Sequence, residues 1–203
     1  MFFAYYITIF IIIFLKVARR EVFGVSRSRL NKGLVQVYTG NGKGKTTASL
    51  GQAVRAIGHG YKVFMLQFMK GSKDYGEIKT AEKYLPNLII VQSGLETFVS
   101  KENPSQADID LARQGLATAQ KVIKEGHYDL VILDEINVAL DFNLINLDDV
   151  LEMIKTKPDH VELILTGRYV PPKILDHADL VSEVSLIKHP YYQGVSARKG
   201  IEY

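Results

Sequence analysis

Leu34-Val35-Gln36-Val37-Tyr38, a short apolar strand pattern, runs straight into Thr39-Gly40-Asn41-Gly42-Lys43-Gly44-Lys45-Thr46-Thr47, where a helical stretch, TTASLGQAVRAIG, begins. A Gly-rich turn between a strand and a helix is the context that defines a phosphate loop. Glycines let the backbone fold into a nest of inward-pointing N–H groups. The helix N-terminus adds positive potential. Gly40, Asn41, Gly42, Lys43, Gly44, Lys45, Thr46 and Thr47 are therefore expected to hold the phosphates of a nucleotide. Lys45 supplies the point charge, and the Thr46 hydroxyl is suited to Mg²⁺. The usual first glycine of such a loop is Thr39 here, and its side chain reshapes the pocket. A merely solvated Gly/Lys-rich turn is the plainer alternative, and the flanking strand and helix disfavour it.

Outward from this loop the chain alternates. Strand patterns at 61–68, 87–92, 129–135, 161–167 and 180–187 are separated by helical patterns. One helix is expected over 78–85, stopped by Pro86. A long amphipathic one opens at Pro104 and closes at Gly126, and another covers 147–156. The run 129–135 is continuously apolar, as a central parallel strand requires, whereas 180–187 mixes polar with apolar residues and suits an edge. The expected fold is α/β, a P-loop NTPase-like (RecA-like), mostly parallel sheet with helices on both faces.

Leu130-Val131-Ile132-Leu133-Asp134-Glu135 places two carboxylates after four apolar residues, the pattern of a Walker B strand. In open α/β sheets ligands sit at the carboxyl ends of strands, so Asp134 or Glu135 is expected to hold Mg²⁺ (or Mn²⁺) together with Thr46. Thr166-Gly167-Arg168 ends another buried strand, and Arg168 could meet phosphate or substrate. Arg55 lies about three turns into the helix after the loop, where an exposed helical charge is an equally good reading. By themselves these features describe a nucleotide-binding domain, with a hydrolase or kinase as the default activity.

Composition narrows the chemistry. Cysteine is absent from the 203 residues, which removes disulfides, thiolate metal sites and a cysteine nucleophile. No Ser–His pair suggests covalent catalysis. The net charge of +3 sits in the first 33 residues, where Lys16, Arg19, Arg20, Arg27, Arg29 and Lys32 face only Glu21. The remaining body is slightly acidic, which argues against a nucleic-acid-binding face. Residues 1–33 form an apolar and basic leader, set apart from a domain at 34–203. Its run FFAYYITIFIIIFL is shorter than the ~20 residues that span a bilayer, and no cleavage-site pattern follows. A weak membrane anchor, a buried or partner-covering segment, and translated sequence upstream of the native start are three open readings. Membrane contact is expected only under the first.

VYTGNGKGKTTAS (37–49), RAIGHGYKV (55–63), QFMKG (67–71), LVILDEIN (130–137), LTGR (165–168) and the tail KHPYYQGVSARKGIEY (188–203) together resemble the ATP:corrinoid adenosyltransferases of the CobA/BtuR/CobO group. The resemblance covers 34–203. It implies transfer of the 5′-deoxyadenosyl group of ATP to a reduced corrinoid, with triphosphate released, in adenosylcobalamin synthesis or salvage. Cobalt(I) is the nucleophile, so no protein nucleophile or general base is needed. The resemblance further implies a triphosphate bound in reversed polarity, with Lys45 as the catalytic cation. Thr46 and Glu135 are then on the metal with Asp134 close by, Arg55 toward the nucleoside, and Arg168 toward phosphates or ribose. In the family, aromatic residues after the third strand displace the corrinoid's lower axial ligand; Phe98 fits one such position, and Leu95 stands where a second is expected. A cytoplasmic homodimer served by an electron-donating reductase such as a flavoprotein is also implied. A phosphohydrolase or small-molecule kinase, and a membrane-tethered, non-catalytic nucleotide-binding regulator, are the competing readings.

Overall fold

Six strands, β1 (Val35–Thr39), β2 (Val63–Phe68), β3 (Leu88–Ser93), β4 (Leu130–Asp134), β5 (Glu162–Thr166) and β6 (Leu180–Glu183), form one sheet in the order β3-β2-β4-β5-β1-β6. Every pairing is parallel. This computed structural model describes residues 29–203, and the three readings of the leader over 1–28 lie outside them. Among the described residues no helix is long and apolar enough to cross a membrane.

Helices α1 (Lys45–Gly58), α2 (Gly76–Tyr84), α3 (Gln106–Glu125), α4 (Ile136–Asp141), α5 (Leu147–Lys155) and α6 (Pro172–Leu175) connect the strands. The inner strands are largely apolar on both faces because both faces are covered. Alternate residues of β4 divide between two cores. Leu130 and Ile132 pack with Ala53, Ala56 and Ala81 on the α1–α2 side. Val131 and Leu133 pack with Leu116, Ala119, Val150 and Ile154 on the α3–α5 side. β6 lies at the edge, as its mixed composition requires, and all four of its residues are exposed. It ends at Glu183, because the following segment turns across the phosphate loop.

Local chemistry sets the helix ends. Ser105 accepts from the Asp108 N–H and Asp108 returns the bond, a capping box that starts α3 just after Pro104. Gly126 closes that helix at φ 61°, a left-handed position glycine fills without strain. Helix α4 has no counterpart in the sequence pattern, because its apolar residues continue the run of β4 without a change of period.

Candidate active site

The period of the strands decides which side chains reach the phosphate loop. Gln67 pairs in register with Asp134, and Leu133 with Leu165, so Asp134 and Thr166 lie side by side at the carboxyl ends of β4 and β5. Gln67, Asp134 and Thr166 all share the α1 face with Met65, Ile132 and Ile164. Thr46, in the first turn of α1, points back at them.

Asp134 is the centre of the resulting network and is fully buried. Its Oδ1 accepts from Thr46 Oγ1 at 2.9 Å and from Thr166 Oγ1 at 2.8 Å. Its Oδ2 accepts from Lys70 Nζ at 2.8 Å and from Gln67 Nε2 at 3.4 Å. Thr166 Oγ1 in turn accepts from the backbone N–H of Glu135 at 3.0 Å. Glu135 itself has φ 62°, a left-handed value that is uncommon without glycine. Among the described residues no hydrogen bond engages its carboxylate. Burial raises the Glu135 pKa, Asp134 raises it further, and Lys70, Lys45 and Arg168 oppose the shift. For Lys70, burial pulls the pKa down, but the Asp134 carboxylate outweighs it and the net shift is upward.

The loop is closed by its neighbours. Gly40 has φ 92° and Gly44 φ 126°. A Cβ on Gly40 would sit 2.6 Å from the Val184 carbonyl oxygen, and one on Gly42 2.8 Å from that of Ser185. The Gly42 N–H donates to the Val184 carbonyl at 2.7 Å, and the Thr39 carbonyl accepts from Val184 N–H at 2.9 Å. Lys45 Nζ donates to the carbonyls of Gly40 and Gly42, each at 2.8 Å. Burial lowers its pKa, with Arg168 adding to the effect and Glu135 and Asp134 opposing it. Lys43 reaches the carbonyl of Ile201 at 3.1 Å.

The remaining expected residues fall in different places. Asn41 and Thr47 are exposed on the loop and first helical turn. Arg168 is exposed directly after β5, close enough to affect both Lys45 and Glu135. Arg55 is exposed on α1 beside Gln52, about 15 Å along the helix from Lys45 at 1.5 Å per residue, so the structure does not bring it to the loop. Phe98 is fully exposed, which removes core packing as its explanation. Gln67, Lys70 and Asn137 were not singled out by sequence as site residues. Lys70 and Gln67 stand in QFMKG, whose only individual signal is polar residues breaking an apolar strand. Asn137 donates to the Gly167 carbonyl at 3.4 Å, and its buried Oδ1 has no hydrogen-bond partner.

A phosphate loop, a Walker B strand and an all-parallel sheet with this strand order define a RecA-like P-loop fold with a nucleotide-binding loop. The solved structures agree: the RadB recombinase matches with TM-score 0.51 at 14% identity over 78% of this chain and 77% of its own. The KaiC-like protein PH0186 of Pyrococcus horikoshii matches with TM-score 0.51 at 19% identity over 79% and 76%. The sequence goes further. Residues 31–203 match the model of the family described as ATP:corrinoid adenosyltransferase BtuR/CobO/CobP. The corrinoid adenosyltransferase of Pseudomonas aeruginosa is 35% identical over 88% of both chains. Corrinoid adenosyltransferase CobA of Salmonella typhimurium is 34% identical over 93% of this chain and 94% of its own. The chain belongs to the ATP:corrinoid adenosyltransferase family, and its activity class is adenosylation of a corrinoid from ATP.

Proposed function

We propose that this enzyme transfers the 5′-deoxyadenosyl group of ATP to the cobalt of cob(I)alamin or a related reduced corrinoid and releases triphosphate. The cobalt(I) electron pair forms the Co–C5′ bond while the C5′–O bond breaks, and its electrons leave on the triphosphate. Cobalt is formally oxidised from I to III, and no proton is moved by the protein. The observation that carries this reading is the family match across 31–203 with Lys45, Thr46 and the carboxylate pair gathered in one site.

The task of the protein is to align C5′ and to stabilise the leaving group. Backbone N–H groups of the Gly40–Thr47 loop, other than the Gly42 N–H that donates to Val184, and the Lys45 ammonium hold the triphosphate. Arg168 approaches from the end of β5. Arg55, exposed on α1, approaches the nucleoside from outside the loop. The exposed ring of Phe98 is offered to the corrinoid.

A divalent ion fits the donor set. Thr46 gives its proton to Asp134 and keeps oxygen lone pairs free, and the Glu135 carboxylate has no hydrogen-bonded partner among the described residues. Hard oxygen donors of this kind suit Mg²⁺ or Mn²⁺. Thr46 and Glu135 would hold the ion, with Asp134 beside them, and it would supply charge neutralisation to the phosphates. Transfer takes place in the cytoplasm on a homodimer supplied with electrons by a reductase, in cobalamin synthesis or salvage.

The test incubates the full chain with ATP, Mg²⁺ and chemically reduced cobalamin and follows the adenosyl product and free triphosphate. Adenosylcobalamin with one triphosphate per turnover is expected. ADP or phosphate as the primary product would return the chain to the hydrolase or kinase reading. In the same assay Lys45→Ala should lower turnover by about 100-fold or more, the usual cost of one lost electrostatic contact to developing charge, with an unchanged circular dichroism spectrum.

A further inference from the structure

Three observations single out Lys70. Its ammonium lies 2.8 Å from Asp134 Oδ2, with the Lys70 side chain 16% exposed and the aspartate fully buried. The backbone is shaped to deliver it there: Met69, directly after β2, has φ 57° without being glycine. A Cβ on Gly71 would meet the Gly94 carbonyl oxygen at 2.5 Å, and one on Gly94 would meet Lys70 N at 2.5 Å. Two loops are thus pressed together where neither tolerates a side chain. Strained and glycine-dependent backbone of this kind clusters where a side chain must be aimed.

The bonds leading away from Lys70 say what it is aimed for. Asp134 receives hydrogen bonds on both oxygens, from Thr46, Thr166, Lys70 and Gln67. Each threonine has a single proton to give and gives it to Asp134. The Thr166 oxygen is then oriented to accept the N–H of Glu135. That bond braces Glu135 in its left-handed conformation at the end of β4. Without Lys70, the same carboxylate would be a buried anion with only neutral donors, free to turn toward any cation nearby.

Resting on the reading of Thr46 and Glu135 as the metal-holding pair, we infer that Lys70 is a positioning residue. It neutralises Asp134 inside the protein and keeps it as the hub that aims the Thr46 and Thr166 hydroxyls. Glu135 is left as the acidic metal ligand. Asp134 acts through Thr46 and the Thr166–Glu135 link, without touching the metal itself.

Two measurements test this. In the first, Mn²⁺ affinity in the presence of ATP is followed by the EPR signal of free Mn²⁺, with no corrinoid present. Asp134→Asn should lose affinity about tenfold, the low end for the partner of a ligand, and Glu135→Gln should lose at least about tenfold more than that. An Asp134→Asn loss as large as that of Glu135→Gln makes Asp134 a ligand and overturns the proposal. If neither variant loses affinity, the metal assignment fails while the transfer reaction stands untouched.

In the second, Lys70→Met should lower kcat about 10- to 100-fold with the ATP KM moving less than threefold, and Lys70→Arg should keep most of the activity. The double variant Lys70→Met/Asp134→Asn removes the unpaired anion and should exceed Lys70→Met alone about tenfold. A double variant no better than the single one sinks the charge-compensation argument. If Lys70→Met does not fold, a Lys70→Arg variant as inactive as Lys70→Ala sinks it equally.

Discussion

Glu135 carries the sharpest electrostatic consequence of the site. Its pKa is raised, by burial first and by Asp134 second. A carboxyl group whose folded value exceeds its unfolded one binds more protons folded than unfolded over the interval between them. Stability therefore falls as pH rises through that interval, and the loss persists at neutral pH. Glu135→Gln carries no charge to bury, so without metal it should melt higher than the native chain at pH 7, by about 1–4 °C on the scale of 2–4 °C per kcal/mol for a chain this size. The difference should shrink as pH falls toward the ordinary carboxylate range. Calorimetry at two pH values checks this, and a variant that melts lower at pH 7 would mean that the carboxylate is a net stabiliser. Added Mg²⁺ with ATP should stabilise the native chain more than the variant, since only the former offers an anionic ligand.

At the scale of elements, the junction between the loops after β2 and β3 tests how the site is held. A Cβ on Gly94 falls 2.5 Å from Lys70 N and Met69 C, both backbone atoms that cannot swing aside. Gly94→Ala should therefore cost about 1–3 kcal/mol, the usual range for overpacking, lowering Tm by about 2–12 °C. Gly51 is a matched control, because a Cβ there meets nothing within 4 Å; Gly51→Ala in the exposed interior of α1 should be neutral or stabilising. Equal effects at the two positions would remove the close approach as an explanation. This junction also marks the limit of what the sequence reveals. Periodicity exposes the first five strands and the longer helices, because burial on two faces leaves apolar runs that no loop could tolerate, while the exposed edge strand β6 is legible only from its mixed pattern. The phosphate loop and the acidic end of β4 are legible because their chemistry is local. Helix α4 is hidden inside the apolar run it extends. Lys70 is hidden for a different reason: its partner Asp134 is remote in the chain, and only the pairing of β2 with β4 brings the two together.

Across the whole molecule, the C-terminal tail is the element whose position is hardest to explain by folding. None of residues 188–203 is buried, so the tail adds little to either core. Yet it crosses the sheet edge to the phosphate loop, where the Ile201 carbonyl accepts from Lys43 Nζ. Its end is internally braced: the Arg198 guanidinium and backbone N–H both donate to Glu202, holding that carboxyl at about 2. An internally braced turn that reaches the nucleotide loop is suited to ordering Lys43 and its neighbours before the triphosphate arrives. Removing residues 188–203 should consequently leave Tm within about 2 °C, since no apolar area leaves a core. It should weaken ATP binding about three- to tenfold, the value of one ordered hydrogen bond of roughly 0.5–1.5 kcal/mol. Isothermal titration with ATP and Mg²⁺, without corrinoid, separates the two quantities. A truncated chain that binds ATP as tightly as the full one would make the tail dispensable to the loop, and one that no longer folds would make it part of the scaffold.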